Sequence, residues 1–285
     1  MNHHDIQRIA CNPSLSQMAE VLENIVYSNA AGMEVSLTLL LPWGARERGE
    51  RLGLIVFIQG SGFTFPNVGY QLPQLGWYAQ NGYAVATLTH RNCLDGHPFP
   101  AYLQDVKTAV RFLRKHADEY AIDPARVCVW GTSSGANAAL LAGLTADDPA
   151  FKTGEHADQS DAVNLVVECF GPTDLVKMLD GADPDAPVME DIFLALAAGR
   201  DMRAVMRDMS PVYYPVPGRA YPPTLLIHGD ADDVVPHEQM VLMQRALQAH
   251  GVDARAITVE GAPHEGSFWS RALHDVILGY LREKL

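Results

Sequence analysis

Hydrophobic residues occur along this chain in short, nearly continuous runs that end in glycine or a turn residue. Runs of this kind are typical of parallel strands that helices cover on both faces. Before these runs, residues 24–42 alternate polar and apolar positions around Ala31-Gly32, which predicts an antiparallel hairpin at the start of the sheet. The runs themselves predict six further strands, at residues 53–60, 83–90, 125–131, 163–171, 223–229 and 254–261.

Helical periodicity separates several of these runs. Between residues 100 and 120, Leu103, Val106, Val110 and Leu113 recur at spacings of three and four and form one apolar stripe. Two later segments, 236–250 and 266–285, show the same pattern. The alternation of strand and helix predicts an α/β fold, with a mostly parallel sheet between two layers of helices. We expect residues 1–285 to form one domain.

One long region interrupts the alternation, at about residues 172–222. It contains an apolar, helical stretch at residues 191–209. An insertion of this length in a compact domain is usually functional. We interpret it as a lid or a pocket wall, and the alternative is a plain packing helix.

Charge and cysteine content narrow the class of protein. The formal charge of −13 argues against a nucleic-acid partner and disfavours an anionic membrane surface. The four cysteines follow no paired spacing, which predicts buried thiols in a reducing compartment. Neither a signal-like amino terminus nor an apolar segment of about 18 residues is visible, so we expect a cytoplasmic protein without a membrane partner.

Residues 131–135, Gly-Thr-Ser-Ser-Gly, form a G-x-S-x-G pattern between a predicted strand and a predicted helix. This context is typical of a nucleophile elbow, in which a sharp turn exposes the central serine. The residues two positions before and after that serine crowd together and must lack side chains. Only Ser133 has glycine at both positions, whereas Ser134 is flanked there by Thr132 and Ala136. Ser133 is therefore the predicted nucleophile.

A serine nucleophile needs a histidine base and an orienting carboxylate. The strand at 223–229 is followed by Asp230, Asp232 and Asp233, and the last predicted strand is followed by His264 in a short loop. The order Ser, Asp, His, with each residue after a strand, is that of the α/β-hydrolases.

Two other titratable residues lie inside predicted strands. Glu168 is a further candidate for the orienting acid. His228 is interpreted as a buried hydrogen-bonding residue that supports the loop after its strand.

The reaction also needs two backbone N–H groups aimed at the oxyanion. One is expected from Ser134, directly after the nucleophile. The other is expected from residues 58–66, where Gly60, Ser61 and Gly62 allow a close approach of the backbone. The Gly-x-Gly of that loop lacks the third glycine and the acidic partner of a dinucleotide site, so we predict no cofactor. No metal motif is present, and the tandem His3-His4 is interpreted as a terminus rather than a metal site.

From about residue 24 to its end, the chain resembles serine esterases of the α/β-hydrolase fold. Within them it is similar to the acetyl esterase/lipase-like group that includes bifunctional feruloyl and acetyl-xylan esterases. The likeness is strongest at residues 99–143, and 225–236 and 261–269 also match. It implies Asp232 as the triad acid, and the N–H groups of Ser61 and Gly62 as oxyanion donors in a loop where the family often has His-Gly-Gly-Gly. Arg91 is interpreted as structural.

The sequence therefore predicts a cofactor-independent carboxylic ester hydrolase that works through an acyl-enzyme. The resemblance implies short acyl esters of small molecules or saccharides, acetyl above all, with feruloyl esters as a second possibility. Two alternatives stay open. One is an amide or peptide hydrolase, such as a formamidase or a prolyl-oligopeptidase-like enzyme, because the same triad serves both bonds. The other is a catalytically silent binding protein on the same fold.

Overall fold

Eight strands form one twisted sheet in the computed structural model, which describes residues 6–29, 32–181 and 187–285. The strand order is β1-β2-β4-β3-β5-β6-β7-β8. Strand β2 is antiparallel to both of its neighbours, and every other pair is parallel. The strands are β1 Ala19–Ser28, β2 Val35–Pro42, β3 Leu52–Ile58, β4 Tyr83–Leu88, β5 Ile122–Thr132, β6 Leu165–Cys169, β7 Thr224–Gly229 and β8 Ala254–Val259.

The hairpin and the six parallel strands predicted from the sequence are present, so the predicted α/β fold class is confirmed. The hairpin turn at Ala31 lies outside the described residues. Strands β3, β4, β6 and β7 are buried on both faces, as their apolar runs predict. Strand β8 is only partly buried, because it lies at the edge of the sheet, so the burial predicted for the run at 254–261 was wrong.

Helices cover both faces of the sheet. They are α1 Leu72–Gln80, α2 Ala101–Lys115, α3 Ser134–Leu144, α4 Leu175–Asp180, α5 Pro187–Ala197, α6 Met202–Asp208, α7 Glu238–Ala249 and α8 Arg271–Lys284. Helices α1 and α8 pack in one hydrophobic core, and α2, α3 and α7 pack in the other. Successive residues of β5 supply the two cores, Val129 to the α2 side and Trp130 to the α1 side.

Helix α2 shows why the predicted stripe packs against the sheet. Leu103, Val106, Val110 and Leu113 are all buried, as their spacing predicts. Arg91 is held beneath this helix by an ion pair with the buried carboxylate of Asp105, with its guanidinium 2.8 Å from that carboxylate. It has the structural role expected for it.

The region after β6 differs from its predicted form. The single helical stretch expected at 191–209 is two helices, because Ala198 and Gly199 take positive φ angles of 47° and 77° that end α5. Asp201 then begins α6 by accepting a hydrogen bond from the N–H of Ala204. Helices α1 and α4 were not predicted.

Other differences are local. Helix α8 begins at Arg271 rather than 266, because Ser270 caps it after a short 3₁₀ turn. Three cysteines are buried free thiols, but Cys11 is exposed, so the burial predicted for it was wrong. Cys11 lies in the segment before β1, and the described residues of that segment belong to neither hydrophobic core. Among the described helices, none combines the length and hydropathy that crossing a membrane requires.

Candidate active site

Ser133 occupies the sharp turn between β5 and α3. Its backbone has φ 51° and ψ −125°, a conformation that side-chain-bearing residues rarely adopt. A Cβ at Gly131 would lie 2.1 Å from the carbonyl oxygen of Gly135, and a Cβ at Gly135 would lie 2.1 Å from that of Ile58. The strained turn is therefore possible only with glycine at both flanking positions, and it leaves Ser133 partly exposed at the carboxyl end of the sheet.

His264 lies in the loop after β8 and contacts the Ser133 hydroxyl. Its Nε2 lies 3.0 Å from Ser133 Oγ. The loop approaches the sheet closely, since a Cβ at Gly229 would lie 2.1 Å from the carbonyl oxygen of Ala262. The ring of Phe170 packs edge-on against the imidazole, with 4.8 Å between centroids. These contacts hold the imidazole within hydrogen-bonding reach of the serine.

Asp232 is the aspartate that contacts the imidazole, of the three that follow β7. Its Oδ2 lies 2.8 Å from His264 Nδ1, and its Oδ1 accepts hydrogen bonds of 2.9 Å from the N–H groups of Val234 and Val235. Because Nδ1 faces a carboxylate, that nitrogen carries the hydrogen and Nε2 is left to accept the serine proton. The carboxylate is fully buried.

The other acidic candidates are placed elsewhere. Asp230 accepts a hydrogen bond from the N–H of Gly261, and Asp233 is exposed to solvent. Glu168 lies inside β6, where its carboxylate accepts a hydrogen bond from the N–H of Gly171.

The environment of Asp232 favours its ionised form. Burial alone would raise the pKa of this carboxyl group, but hydrogen bonds from His228, His264 and two backbone N–H groups outweigh burial. The pKa of Asp232 is therefore held well below its usual range. At neutral pH a negative charge lies beside His264 Nδ1, where it can stabilise an imidazolium.

Two backbone N–H groups near Ser133 are available to an oxyanion. In the described part of the chain, the N–H groups of Gly62 and Ser134 donate no hydrogen bond within the protein. The Ser61 N–H instead donates to Ser134 Oγ over 2.9 Å. The Gly60 N–H is likewise engaged, by Thr132 Oγ1 at 2.9 Å. Of the three donors expected from the sequence, the structure leaves those of Gly62 and Ser134 unengaged.

The hydrogen bond between the Ser61 N–H and the Ser134 hydroxyl was not predicted from the sequence. Ser134 was expected to contribute only its N–H group, yet its hydroxyl holds the loop that contains Gly62. Two further hydrogen bonds stabilise this loop. The Ser61 hydroxyl donates to the Thr64 carbonyl over 2.7 Å, and the Thr64 hydroxyl donates to the Ser61 carbonyl over 2.6 Å. No local pattern could have shown the bond to Ser134, because 73 residues separate its two partners.

Space for a substrate lies on two sides of Ser133. An open cleft of about 400 Å³ carries polar side chains, among them Asn67, Tyr70 and Glu265, on a wall whose exposed surface is mostly apolar. A second, enclosed pocket of about 60 Å³ is apolar. Ser133, Gly62 and Val234 border both spaces. The apolar wall of the enclosed pocket consists chiefly of Phe63, Leu175, Met178, Ile192 and Phe193.

The region at 172–222 thus supplies wall residues to the enclosed pocket from α4 and α5. Within the described ranges, no group of three or more histidine, cysteine, aspartate or glutamate side chains is arranged to hold a metal ion. His3 and His4 lie outside those ranges.

Comparison with known proteins places most of the chain, including Ser133 and Asp232, within one family. The BD-FAE family model matches residues 41–247, which is most of the chain. The esterase LipC of Mycobacterium tuberculosis is 29% identical over 200 residues, which are 69% of this chain and 48% of LipC. The esterase LipQ of the same organism is 34% identical over 165 residues, 58% of this chain and 37% of LipQ. The chain spans less than half the length of these two relatives.

A solved structure matches over nearly its full length. It is a truncated form of a carbohydrate esterase from gut microbiota, with a TM-score of 0.78 and 27% sequence identity. The alignment covers 94% of this chain and 97% of that one. The arrangement of sheet and helices described above is thus shared with that esterase.

Proposed function

Since this chain belongs to the BD-FAE family of α/β-hydrolase esterases, we propose that it is a serine carboxylic ester hydrolase for short-acyl esters. One observation carries the proposal. Ser133 Oγ, His264 and Asp232 form a continuous hydrogen-bonded chain, with contacts of 3.0 Å and 2.8 Å, at the junction of an open cleft and a smaller apolar pocket. A nucleophile, a base and an orienting acid are the groups that acyl transfer needs.

The reaction follows from the positions of these groups. Ser133 Oγ attacks the ester carbonyl while His264 Nε2 takes its proton, and Asp232 stabilises the imidazolium that forms. The N–H groups of Gly62 and Ser134 donate to the oxyanion of the tetrahedral intermediate. His264 then returns the proton to the leaving alcohol, and the acyl group remains on Ser133. A water molecule activated by His264 releases the acid in a second, equivalent attack.

We place the acyl group and the alcohol of the substrate in the two different spaces beside Ser133. A pocket of about 60 Å³ is less than half the size of a cavity of about 150 Å³ that holds one benzene ring. It therefore fits an acetyl group, whereas a feruloyl group exceeds it. The larger cleft takes the alcohol, where the polar groups of Asn67, Tyr70 and Glu265 can hydrogen-bond the hydroxyls of a partner such as a saccharide. The structural match to a carbohydrate esterase supports the same substrate class.

The experiment that tests the proposal is hydrolysis of 4-nitrophenyl acetate by the wild type and by Ser133→Ala. We expect the variant to lose at least about 10⁴-fold in kcat, because removing the nucleophile of a triad removes the acyl-enzyme route. A Ser133→Ala variant that is folded and keeps wild-type turnover would disprove the role of Ser133.

Substrate class is tested by a panel of acetyl, butyryl and longer nitrophenyl esters, acetylated xylan, methyl ferulate and N-formylkynurenine. We expect acetyl esters to give the highest kcat/KM, because the enclosed pocket is small. A marked preference for the formamide would favour the amide-hydrolase alternative. A wild type without turnover on the whole panel would favour the silent binding protein.

A further inference from the structure

A second histidine contacts the acid of the triad. Nε2 of His228, at the end of β7, lies 3.2 Å from Asp232 Oδ2 and 2.9 Å from the carbonyl oxygen of Val235. Both oxygens can only accept hydrogen bonds, because the Asp232 carboxylate is ionised. Nε2 of His228 must therefore carry a hydrogen. The protonation of this ring can vary only at Nδ1.

Glu168 lies on the same face of the sheet as His228. In the parallel register of β6 and β7, Glu168 pairs with Leu226, and His228 is two residues further along β7. Residues two apart on a strand point to the same face, so Glu168 and His228 are diagonal neighbours. Both side chains have an exposed fraction of 0%.

Each of these side chains has one buried polar atom without a partner. Glu168 Oε1 accepts from the N–H of Gly171, but Oε2 has no hydrogen-bond partner among the described residues. His228 Nδ1 is unpartnered in the same sense. An unsatisfied buried polar atom destabilises the folded state. A single proton held between Oε2 and Nδ1 through one bridging water molecule satisfies both atoms.

We propose that Glu168 and His228 are positioning residues that hold one proton between them behind Asp232. This proton completes the bonding of His228, so that its Nε2–H stays fixed as a donor to Asp232. Its presence also sets how much negative charge lies behind His264. The inference rests on the proposed function, since it assigns Asp232 to the triad.

The surroundings of the pair determine what happens when this proton leaves. Glu168 and Asp232 face His228, and His264 contacts Asp232 from the loop after β8. The ring of His237, at the start of α7, packs edge-on against His228 with 5.8 Å between ring centroids, and its Nε2 is hydrogen-bonded to Thr258 Oγ1. Release of the proton to solvent leaves a Glu168 carboxylate and a neutral His228. One additional negative charge then lies near Asp232.

The burial of the pair places this release near neutral pH. Burial raises the pKa of Glu168 to about 7, although the charge of His228 and the N–H of Gly171 oppose the shift. Burial lowers the pKa of His228, but its bond to Asp232 and the charge of Glu168 outweigh burial and raise the pKa overall. Because the two groups interact, they titrate as a pair.

Glu168→Gln tests the pair without removing its volume. The glutamine carbonyl can still accept from Gly171, and its amide can donate to the same bridging water molecule, but it cannot ionise. Asp233→Asn is the matched control, because it removes one carboxylate beside Asp232 at a solvent-exposed position. The measurement is kcat/KM for 4-nitrophenyl acetate between pH 6 and 8.5.

We expect the ratio of wild-type to Glu168→Gln kcat/KM to rise by about tenfold across this range, because the extra negative charge stabilises the His264 imidazolium. The ratio of wild-type to Asp233→Asn should stay constant. A constant ratio for Glu168→Gln, or the same rise for Asp233→Asn, would overturn the inference.

Nuclear magnetic resonance of the wild type tests the pair independently of activity. We expect the carboxyl carbon-13 shift of Glu168 and the nitrogen-15 shifts of His228 to titrate with one shared midpoint. Separate midpoints would refute the shared proton, even if Glu168→Gln does not fold. Absence of ester hydrolysis by the wild type would refute the proposed function and leave this measurement unaffected.

Discussion

Ile192 on α5 is the residue that we expect to limit the length of the acyl group. Its side chain is 7% exposed and lines the enclosed pocket. Its Cδ1 lies 3.6 Å from the position that a Cβ on Gly62 would take, so it closes the pocket close to the oxyanion loop. Ile192→Ala removes three carbon atoms from this wall and lengthens the pocket away from Ser133.

The size of the effect follows from the surface that a longer acyl chain can then bury. A butyryl group has two methylenes more than an acetyl group, and burial of each is worth about 0.8 kcal/mol. Together they contribute about 1.6 kcal/mol, which corresponds to roughly a 15-fold change in kcat/KM. The substitution also removes packing, and we expect it to lower the free energy of unfolding by about 2 kcal/mol.

The assay compares kcat/KM for 4-nitrophenyl butyrate and 4-nitrophenyl acetate in wild type and variant. We expect the butyrate-to-acetate ratio to rise about 15-fold in Ile192→Ala. The matched control is Leu194→Ala on the same helix, where the side chain is 52% exposed and the ratio should not change. An unchanged or lower ratio in a folded Ile192→Ala variant would show that the acyl group binds elsewhere.

Three further predictions follow from the contacts of the site. Ser134→Ala removes the acceptor of the Ser61 N–H, so we expect kcat to fall about tenfold with little change in KM, while Ser134→Thr keeps the acceptor and most of the activity. An unchanged kcat in Ser134→Ala would show that the hydroxyl is dispensable. Gly131→Ala places a Cβ against the backbone of Gly135, so we expect the free energy of unfolding to fall by about 3 kcal/mol. An unaltered melting temperature would show that position 131 has room for a side chain. The depressed pKa of Asp232 stabilises the fold above the unfolded-state pKa of about 3.9, and this contribution is lost progressively as pH falls from there toward the much lower pKa of the folded state. Urea unfolding should therefore show a smaller stability difference between wild type and Asp232→Asn at pH 3 than at pH 7, and a gap independent of pH would argue against this linkage.

The sequence by itself determined the strands and the turn that carries the nucleophile. Continuous apolar runs indicate strands buried on both faces, because every side chain on them must avoid water. The choice of Ser133 over Ser134 also follows from local sequence, since only one of the two has glycine at both crowded positions. Such features depend on neighbouring residues and can be read without the fold.

Some local structure was not visible in the pattern of apolar residues. The break between α5 and α6 depends on Ala198, which takes a left-handed conformation although it is not glycine. The start of α8 depends on the cap at Ser270, after a glycine-containing turn. A short apolar segment continues to look helical across such a break, because periodicity records which face is buried and not where the backbone changes direction.

Only the tertiary structure decided which distant groups share a hydrogen bond. It placed Asp232, rather than its two neighbours, against His264, and it engaged the Ser61 N–H with Ser134 Oγ. It also placed Glu168 and His228 on one face behind the triad. Sheet register and loop geometry fix these contacts within a few tenths of an ångström, and they join residues far apart in the chain. Local sequence carries the chemistry of each group, but packing of the whole chain determines the distances between them.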